Sequence, residues 1–263
     1  MRSSLGVLWR DIMLLVVLLL LLVQQICATN GEQEHVCPPS SCGKITNITY
    51  PFRLKGDPKS CGHDMYELAC ENNVTVLYLY SGNYHVHAIN YNNFTVRVVD
   101  PGVQQQNYAS LPRYFLSRSN FTDTYSYHYP TDPYQAGLDR RRNWYDLAFQ
   151  HVVFMNCSHP VIYNHKYVDT DPFINSDSKG YYIYAIAGDL KARDFEVGCH
   201  VKLVALTSWW GFHTNNYSYT AMHTGLVYGF EISWMRLACD NHCGYLFRCN
   251  FDSSSQELQC ARF

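Results

Sequence analysis

The sequence predicts a mainly β fold, with short strands gathered into small disulfide-stapled sheets and a small cysteine-rich module at the C-terminus. Three observations predict it. Ten of the eleven cysteines follow residue 28, eight of them in two tight groups, at 37, 42, 61 and 70 and at 239, 243, 249 and 260. Between the groups, β-branched and aromatic residues recur with period 2 and are broken by Gly, Pro and Asn, which is the pattern of short strands. Cross-links suit such a chain, because irregular segments cannot hold themselves by core burial alone.

Arg2 and Arg10 precede an unbroken apolar run, Ile12–Val23, and Ala28 follows, which is the layout of a secretory signal peptide over residues 1–28. The run is short for a bilayer span, which needs about 20 residues. Cleavage after Ala28 leaves 235 residues with an even ten cysteines, and a secreted product; retention of the leader would leave it membrane-attached. The sequons at Asn47, Asn73, Asn93, Asn120, Asn156 and Asn216 point to the same compartment, where glycosylation and disulfide formation occur.

Residues 35–102 form the first module. Cys37, Cys42, Cys61 and Cys70 alternate with Pro and Gly around Ile48-Thr49-Tyr50-Pro51-Phe52. Zinc is the rival to disulfides, but it expects C-x2-C pairs in a reducing compartment. Val74–Tyr80, Tyr84–Tyr91 and Phe94–Val98 then predict a meander, ended by Asp100-Pro101-Gly102. The β-rich remainder, 103–236, opens with a long loop to about residue 145 that carries the basic run Arg140-Arg141-Arg142. Strands return at Val152–Met155, Tyr181–Ala187 and Cys199–Leu206, with Cys157 and Cys199 as further disulfide candidates. Asp189 reads as the N-cap of a helical turn to Phe195, and Leu226–Trp234 as an amphipathic strand. Residues 237–263, with Cys239, Cys243, Cys249 and Cys260, make a knot or hairpin. The connectivity is not legible from spacing.

Charge excludes some functions and focuses others. The mature chain carries 18 basic and 21 acidic residues, so no global field draws a polyanion, and a secreted protein meets no nucleic acid. One window is reversed. Lys44, Arg53, Lys55 and Lys59 fall between Cys37 and Ser60, where Asp57 is the lone acid. Catalytic signatures are absent: there is no G-x-S-x-G elbow, no H-E-x-x-H helix and no spare thiol. His85 and His87 would share a strand face, yet no third ligand accompanies them, so neither a metal nor another cofactor is expected.

Cys37, Cys42-Gly43, the ITYPF core, Cys61-Gly62 and Tyr66-Glu67-Leu68-Ala69-Cys70 resemble the galacturonan-binding module of plant wall-associated receptor kinases. Asn90–Phe94, Val98–Gly102, Leu111-Pro112-Arg113-Tyr114, Asn156-Cys157-Ser158 and Gly188-Asp189-Leu190 extend the resemblance to ectodomains of the leaf-rust-resistance-locus type, without their transmembrane and kinase parts. The resemblance implies a non-enzymatic, extracellular protein of the apoplast or cell wall, in a plant-defence setting, that binds acidic cell-wall polysaccharide such as pectin. Lys44, Arg53, Lys55 and Lys59 are then the candidate carboxylate-binding residues. Recognition of a peptide or partner receptor is the alternative. The resemblance also implies cysteines near Tyr108 and near Phe173, and this chain has neither.

Overall fold

The expected meander forms as β5 (Val74–Leu79), β6 (Gly82–Asn90) and β7 (Thr95–Val99), paired antiparallel in that order. Alternation decides its faces, with Val96 and Val98 buried while Thr95 and Arg97, which alternate with them, are partly exposed. The computed structural model describes residues 16, 37–121, 134–136, 150–174, 180–209, 218–244, 247–252, 255 and 257–262. Of the expected leader only Val16, helical, is among them. Ala28, the arginine run 140–142 and Asn216 lie outside the described residues.

Around the meander the sheet grows to seven strands, in the order β3-β4-β5-β6-β7-β13-β8. β3 (Arg53–Leu54) lies parallel to β4 (Glu67–Glu71), and the remaining pairs are antiparallel. β13 (Phe230–Ser233) comes from far along the chain and sets Phe230 against Val98 and Ile232 against Val96. β8 (Gln135–Ala136) borders it. The first module's sheet is therefore completed by the last third of the chain. Phe52 anchors its core through edge-to-face contacts with Tyr66, Tyr91 and Trp234, at centroid distances of 5.7, 6.3 and 5.8 Å. Each such buried ring contributes about 1.5–3 kcal/mol by leaving water.

A second sheet has the order β10-β11-β9-β12, from Val168–Asp169, Tyr182–Ala187, Gln150–Cys157 and Cys199–Thr207. Its strands point side chains alternately to two cores. Val152, Phe154 and Ala185 pack with the helix Tyr219–Tyr228, whereas Val153, Met155, Ile186 and Val204 face the other way. Two hairpins complete the strands: β1 (Ser40–Cys42) with β2 (Ile45–Ile48), and β14 (Phe247–Asp252) with β15 (Glu257–Arg262).

The fold class is as expected, and all ten expected cysteines are disulfide-bonded. Cys42–Cys70 ties β1 to β4, Cys157–Cys199 ties β9 to β12, and Cys239–Cys249 with Cys243–Cys260 bind the helix Met235–Cys243 to the terminal hairpin. Pro38–Phe263 is one unit and Met1–Cys37 another.

Two local expectations are corrected, at Leu226–Trp234 and at Asp189. The stretch Leu226–Trp234 is half helix and half strand. Ser218 caps the helix by accepting from the Ala221 N–H at 3.2 Å, and Gly229 ends it at φ 84°. A Cβ at Gly229 would meet the Val98 carbonyl oxygen at 2.1 Å, so only glycine lets the chain turn there into β13. The C-terminal segment does form the expected hairpin, with a helix stapled to it. Asp189 caps nothing, because the 3-10 turn Ala192–Asp194 starts from Lys191 and the Asp189 carboxylate points elsewhere.

The long loop is pinned where it begins. Asp100 accepts from the Gly102 and Arg113 N–H groups through Oδ1 and from the Tyr114 N–H through Oδ2, at 2.7–2.9 Å. Tyr108 and Phe173 then meet, ring on ring, at 5.1 Å. Both of the positions near which the resemblance implies an extra cysteine are thus spatial neighbours, and here an aromatic contact joins them.

Candidate functional site

The four candidate cations separate into two kinds. Arg53, on β3, is buried, and its guanidinium reaches Asp64 at 3.2 Å and Glu67 at 2.6 Å. Its side chain is only 5% exposed, so it is committed to carboxylates of its own module instead of being offered to a ligand. Lys44, Lys55 and Lys59 are exposed. Lys44 rides the β1–β2 turn, which Gly43 docks on the neighbouring turn: its φ is 56°, its N–H donates to Asn73 Oδ1 at 3.2 Å, and a Cβ would lie 2.0 Å from the Asn73 carbonyl oxygen. Lys59 lies on the short 3-10 turn Lys59–Cys61.

Lys55 sits beside a groove of about 810 Å³ lined by Leu54, Asp57, Ala69, Cys70, Glu71 and Tyr78. β3 and β4 build it. The Lys55 N–H donates to the Leu68 carbonyl at 2.8 Å, so the backbone that carries the lysine is held to the neighbouring strand. Asp57 is fixed by the Leu54 N–H at 2.8 Å and the Ser40 hydroxyl at 2.7 Å. Tyr78 is 60% exposed and donates its hydroxyl to Glu71. That hydrogen bond pushes the phenol pKa upward, and its ring face remains open as a flat apolar surface.

The charge excess of the linear window does not survive folding. Asp64, Glu67 and Glu71 join Asp57 on β4 and the turns before it, and residues 37–100 hold five basic and five acidic side chains. Lys44, Lys55 and Lys59 are cations on a locally neutral module, and no hydrogen bond or ion pair brings them together.

The aromatic expectation also divides. Phe52 is core at 1% exposure, whereas Tyr50 is half exposed and its hydroxyl accepts from Asn241 Nδ2 at 2.9 Å. The register of β6 against β7 shifts between Val86 and Ala88, which places His87 in a bulge two residues beyond His85. The His87 pKa is lowered, first by burial and then by Arg97, His85 and Lys44. Among the described residues no three His, Cys, Asp or Glu side chains converge as metal ligands. The predicted sequon residues differ too: Asn47 and Asn73 are exposed, Asn93, Asn120 and Asn156 are partly buried, and Asn156 keeps its Oδ1 inside.

Residues 37–100 match the family described as wall-associated receptor kinase galacturonan-binding. The chain is 36% identical over 103 residues to leaf rust 10 disease-resistance locus receptor-like protein kinase-like 1.2 of Arabidopsis thaliana, a match covering 34% of this chain and 16% of that protein. It is 28% identical over 74 residues to the like 2.1 kinase of that plant, covering 28% and 11%. Against the like 2.4 kinase, the identity is 42% over 57 residues, covering 22% and 9%. The chain thus spans at most 16% of the length of these relatives. No solved structure matches it. The chain thus resembles both kinds of receptor kinase, and the galacturonan-binding match falls on its first module. No described helix is long and apolar enough to cross a membrane.

Proposed function

We propose that this chain is an extracellular receptor-type region that binds acidic cell-wall polysaccharide, pectic galacturonan in particular, through the first module, and that it catalyses nothing. The observation that carries the reading is the groove beside Lys55, which pairs an accessible ammonium with the open Tyr78 ring inside the segment that matches a galacturonan-binding family. Galacturonan presents both features in reverse, a carboxylate on each sugar and an apolar ring face. Lys55 is the principal cation, with Lys59 and Lys44 as outlying ones, and Arg53 shapes β3 from beneath. Titration with de-esterified and fully methyl-esterified galacturonan oligomers tests this: the de-esterified oligomers bind more tightly, and added salt erases the difference. Equal affinity for both at low salt rules out the carboxylate mechanism.

A second reading is recognition of a protein or peptide, with the chain acting as a receptor or decoy ectodomain. It draws support from Ile162, Tyr163, Phe195 and Val197, which are 72%, 92%, 47% and 96% exposed. The loops carrying them are sewn together by the Asn164 amide on Glu196 at 2.8 Å and the Ser158 N–H on the Gly198 carbonyl at 3.0 Å. Binding of that kind keeps its strength as salt rises.

A further inference from the structure

The outer face of the second sheet, away from the helix Tyr219–Tyr228, carries a cleft of about 600 Å³, within the range of small-ligand sites of roughly 300–1,000 Å³. Its floor is apolar, from Val153, Val201 and Val204, with Phe121 and Leu190 beside them. Polar groups concentrate at Arg118, His151 and Asp189, which three separate segments supply.

These three side chains are locked to one another. The Arg118 backbone N–H donates to His151 Nε2 at 2.9 Å, which makes that nitrogen an acceptor and leaves the proton on Nδ1. Nδ1–H then donates to Asp189 Oδ1 at 2.8 Å, and the Arg118 guanidinium donates to the same oxygen at 2.9 Å. With both ring nitrogens engaged, His151 has no lone pair left with which to act as a base toward Ser117 or Ser119, so the cluster is built to hold and not to react.

What it holds follows from the groups left over. Asp189 Oδ2 has no partner among the described residues, and the side chain is 56% exposed. Arg118 Nε is buried and likewise has none. An open acceptor on Asp189 and the partly exposed guanidinium of Arg118 therefore sit together in one pair of zero net charge. An anion would meet the Asp189 carboxylate, and a cation would meet the Arg118 guanidinium. A purely apolar ligand would cover both groups and leave them unsatisfied, which is costly. A neutral ring bearing adjacent hydroxyls meets every requirement, giving and taking hydrogen bonds at the rim while its C–H face lies on the valines.

We infer that this cleft is a second carbohydrate site, specific for neutral oligosaccharides, on a different sheet from the groove beside Lys55. Calorimetric titration with three neutral probes, cellotetraose, galactotetraose and xylotetraose, at low and high salt tests it. At least one binds, equally at both salt concentrations, and the affinity falls at least about tenfold in Asp189→Ala, which deletes the acceptor. Val201→Trp fills the cleft without touching the rim and abolishes binding, which keeps the test open should Asp189→Ala fold poorly. Circular dichroism and the unfolding midpoint verify each variant. Lys55→Gln leaves these neutral-sugar affinities unchanged, so failure here is separable from failure of the galacturonan reading. No binding by any of the three probes, or retained binding in a folded Val201→Trp variant, overturns the assignment.

Discussion

The groove beside Lys55 and the cleft beside Asp189 are similar in volume, about 810 and 600 Å³, and differ in how their charges are held. Lys55 is exposed and tethered through its backbone, so its ammonium is free to meet a carboxylate but is screened by water and salt. Asp189 is held by two donors on one oxygen, which fixes the carboxylate while the other oxygen stays available. A mobile point charge favours a class of charged polymers; a fixed acceptor beside a partly exposed guanidinium favours a shape. Asp100 shows the limiting case, a carboxylate whose two oxygens are both taken by backbone N–H groups and which serves the loop alone.

The largest expected effect separates the two sites through their staples. Replacing Cys42 and Cys70 together by Ala costs about 2–5 kcal/mol of unfolding free energy, as does replacing Cys157 and Cys199. The first pair borders the groove and the second clamps β9 to β12 under the cleft. At a temperature where both variants remain folded, the first loses galacturonan affinity and the second neutral-sugar affinity. Loss of both activities in both variants would show that the sites are not independent.

Arg53→Ala comes next. It strips the guanidinium from Asp64 and Glu67, but Asp64 is 81% exposed and re-solvates easily, so the cost is about 1–3 kcal/mol and not that of a fully buried pair. Denaturant unfolding shows the loss. The salt dependence of galacturonan binding is expected to stay as in the wild type, because the Arg53 guanidinium is buried against carboxylates of its own module.

Acid weakens the half that carries the cleft. His223 is 1% exposed in the helix behind the second sheet, and burial lowers its pKa below the ordinary 6.5. Between that ordinary value and the lower folded one the unfolded chain binds more protons, so stability falls as pH falls through this window. His223→Gln flattens the dependence of the unfolding midpoint on pH below 6.5. His87 is shifted in the same direction, so the slope shrinks without vanishing.

The smallest effect is the sharpest discriminator. Lys55→Gln and Lys59→Gln together weaken binding of de-esterified galacturonan by about three- to tenfold, in keeping with exposed ion pairs worth up to about 1 kcal/mol each. Their unfolding midpoint is that of the wild type.

Much of the fold was legible because its determinants are local. Alternation located β5, β6 and β7, and also β9, β11 and β12, to within a few residues, and paired cysteines marked the staples. The exceptions have physical reasons. In Leu226–Trp234 the apolar residues suit period 2, and what decides for helix is Ser218 outside the stretch and the approach of Val98 from another strand. Arg53 looks like its neighbours Lys55 and Lys59 in sequence, and burial by partners 11 and 14 residues later separates them. Asp189 was visible in a motif, but its partners His151 and Arg118 lie 38 and 71 residues away, so nothing nearby showed what its carboxylate does. The spacing of Tyr108 and Phe173 carried a usable signal. Two positions near which the resemblance implies a cysteine, and which both lack one here, are candidates for contact, and their rings do touch.

The doubly bridged C-terminal hairpin has a mechanical corollary. Tension applied to Glu257–Arg262 reaches Cys260 and crosses to Cys243, so a covalent bond takes the load before the hairpin's hydrogen bonds can unzip. From there it runs along Met235–Cys243 to Trp234, whose indole is wedged against Phe52 next to Arg53. A pull at that end is delivered, through the helix and the Trp234–Phe52 contact, beside the strand on which the Lys55 groove is built.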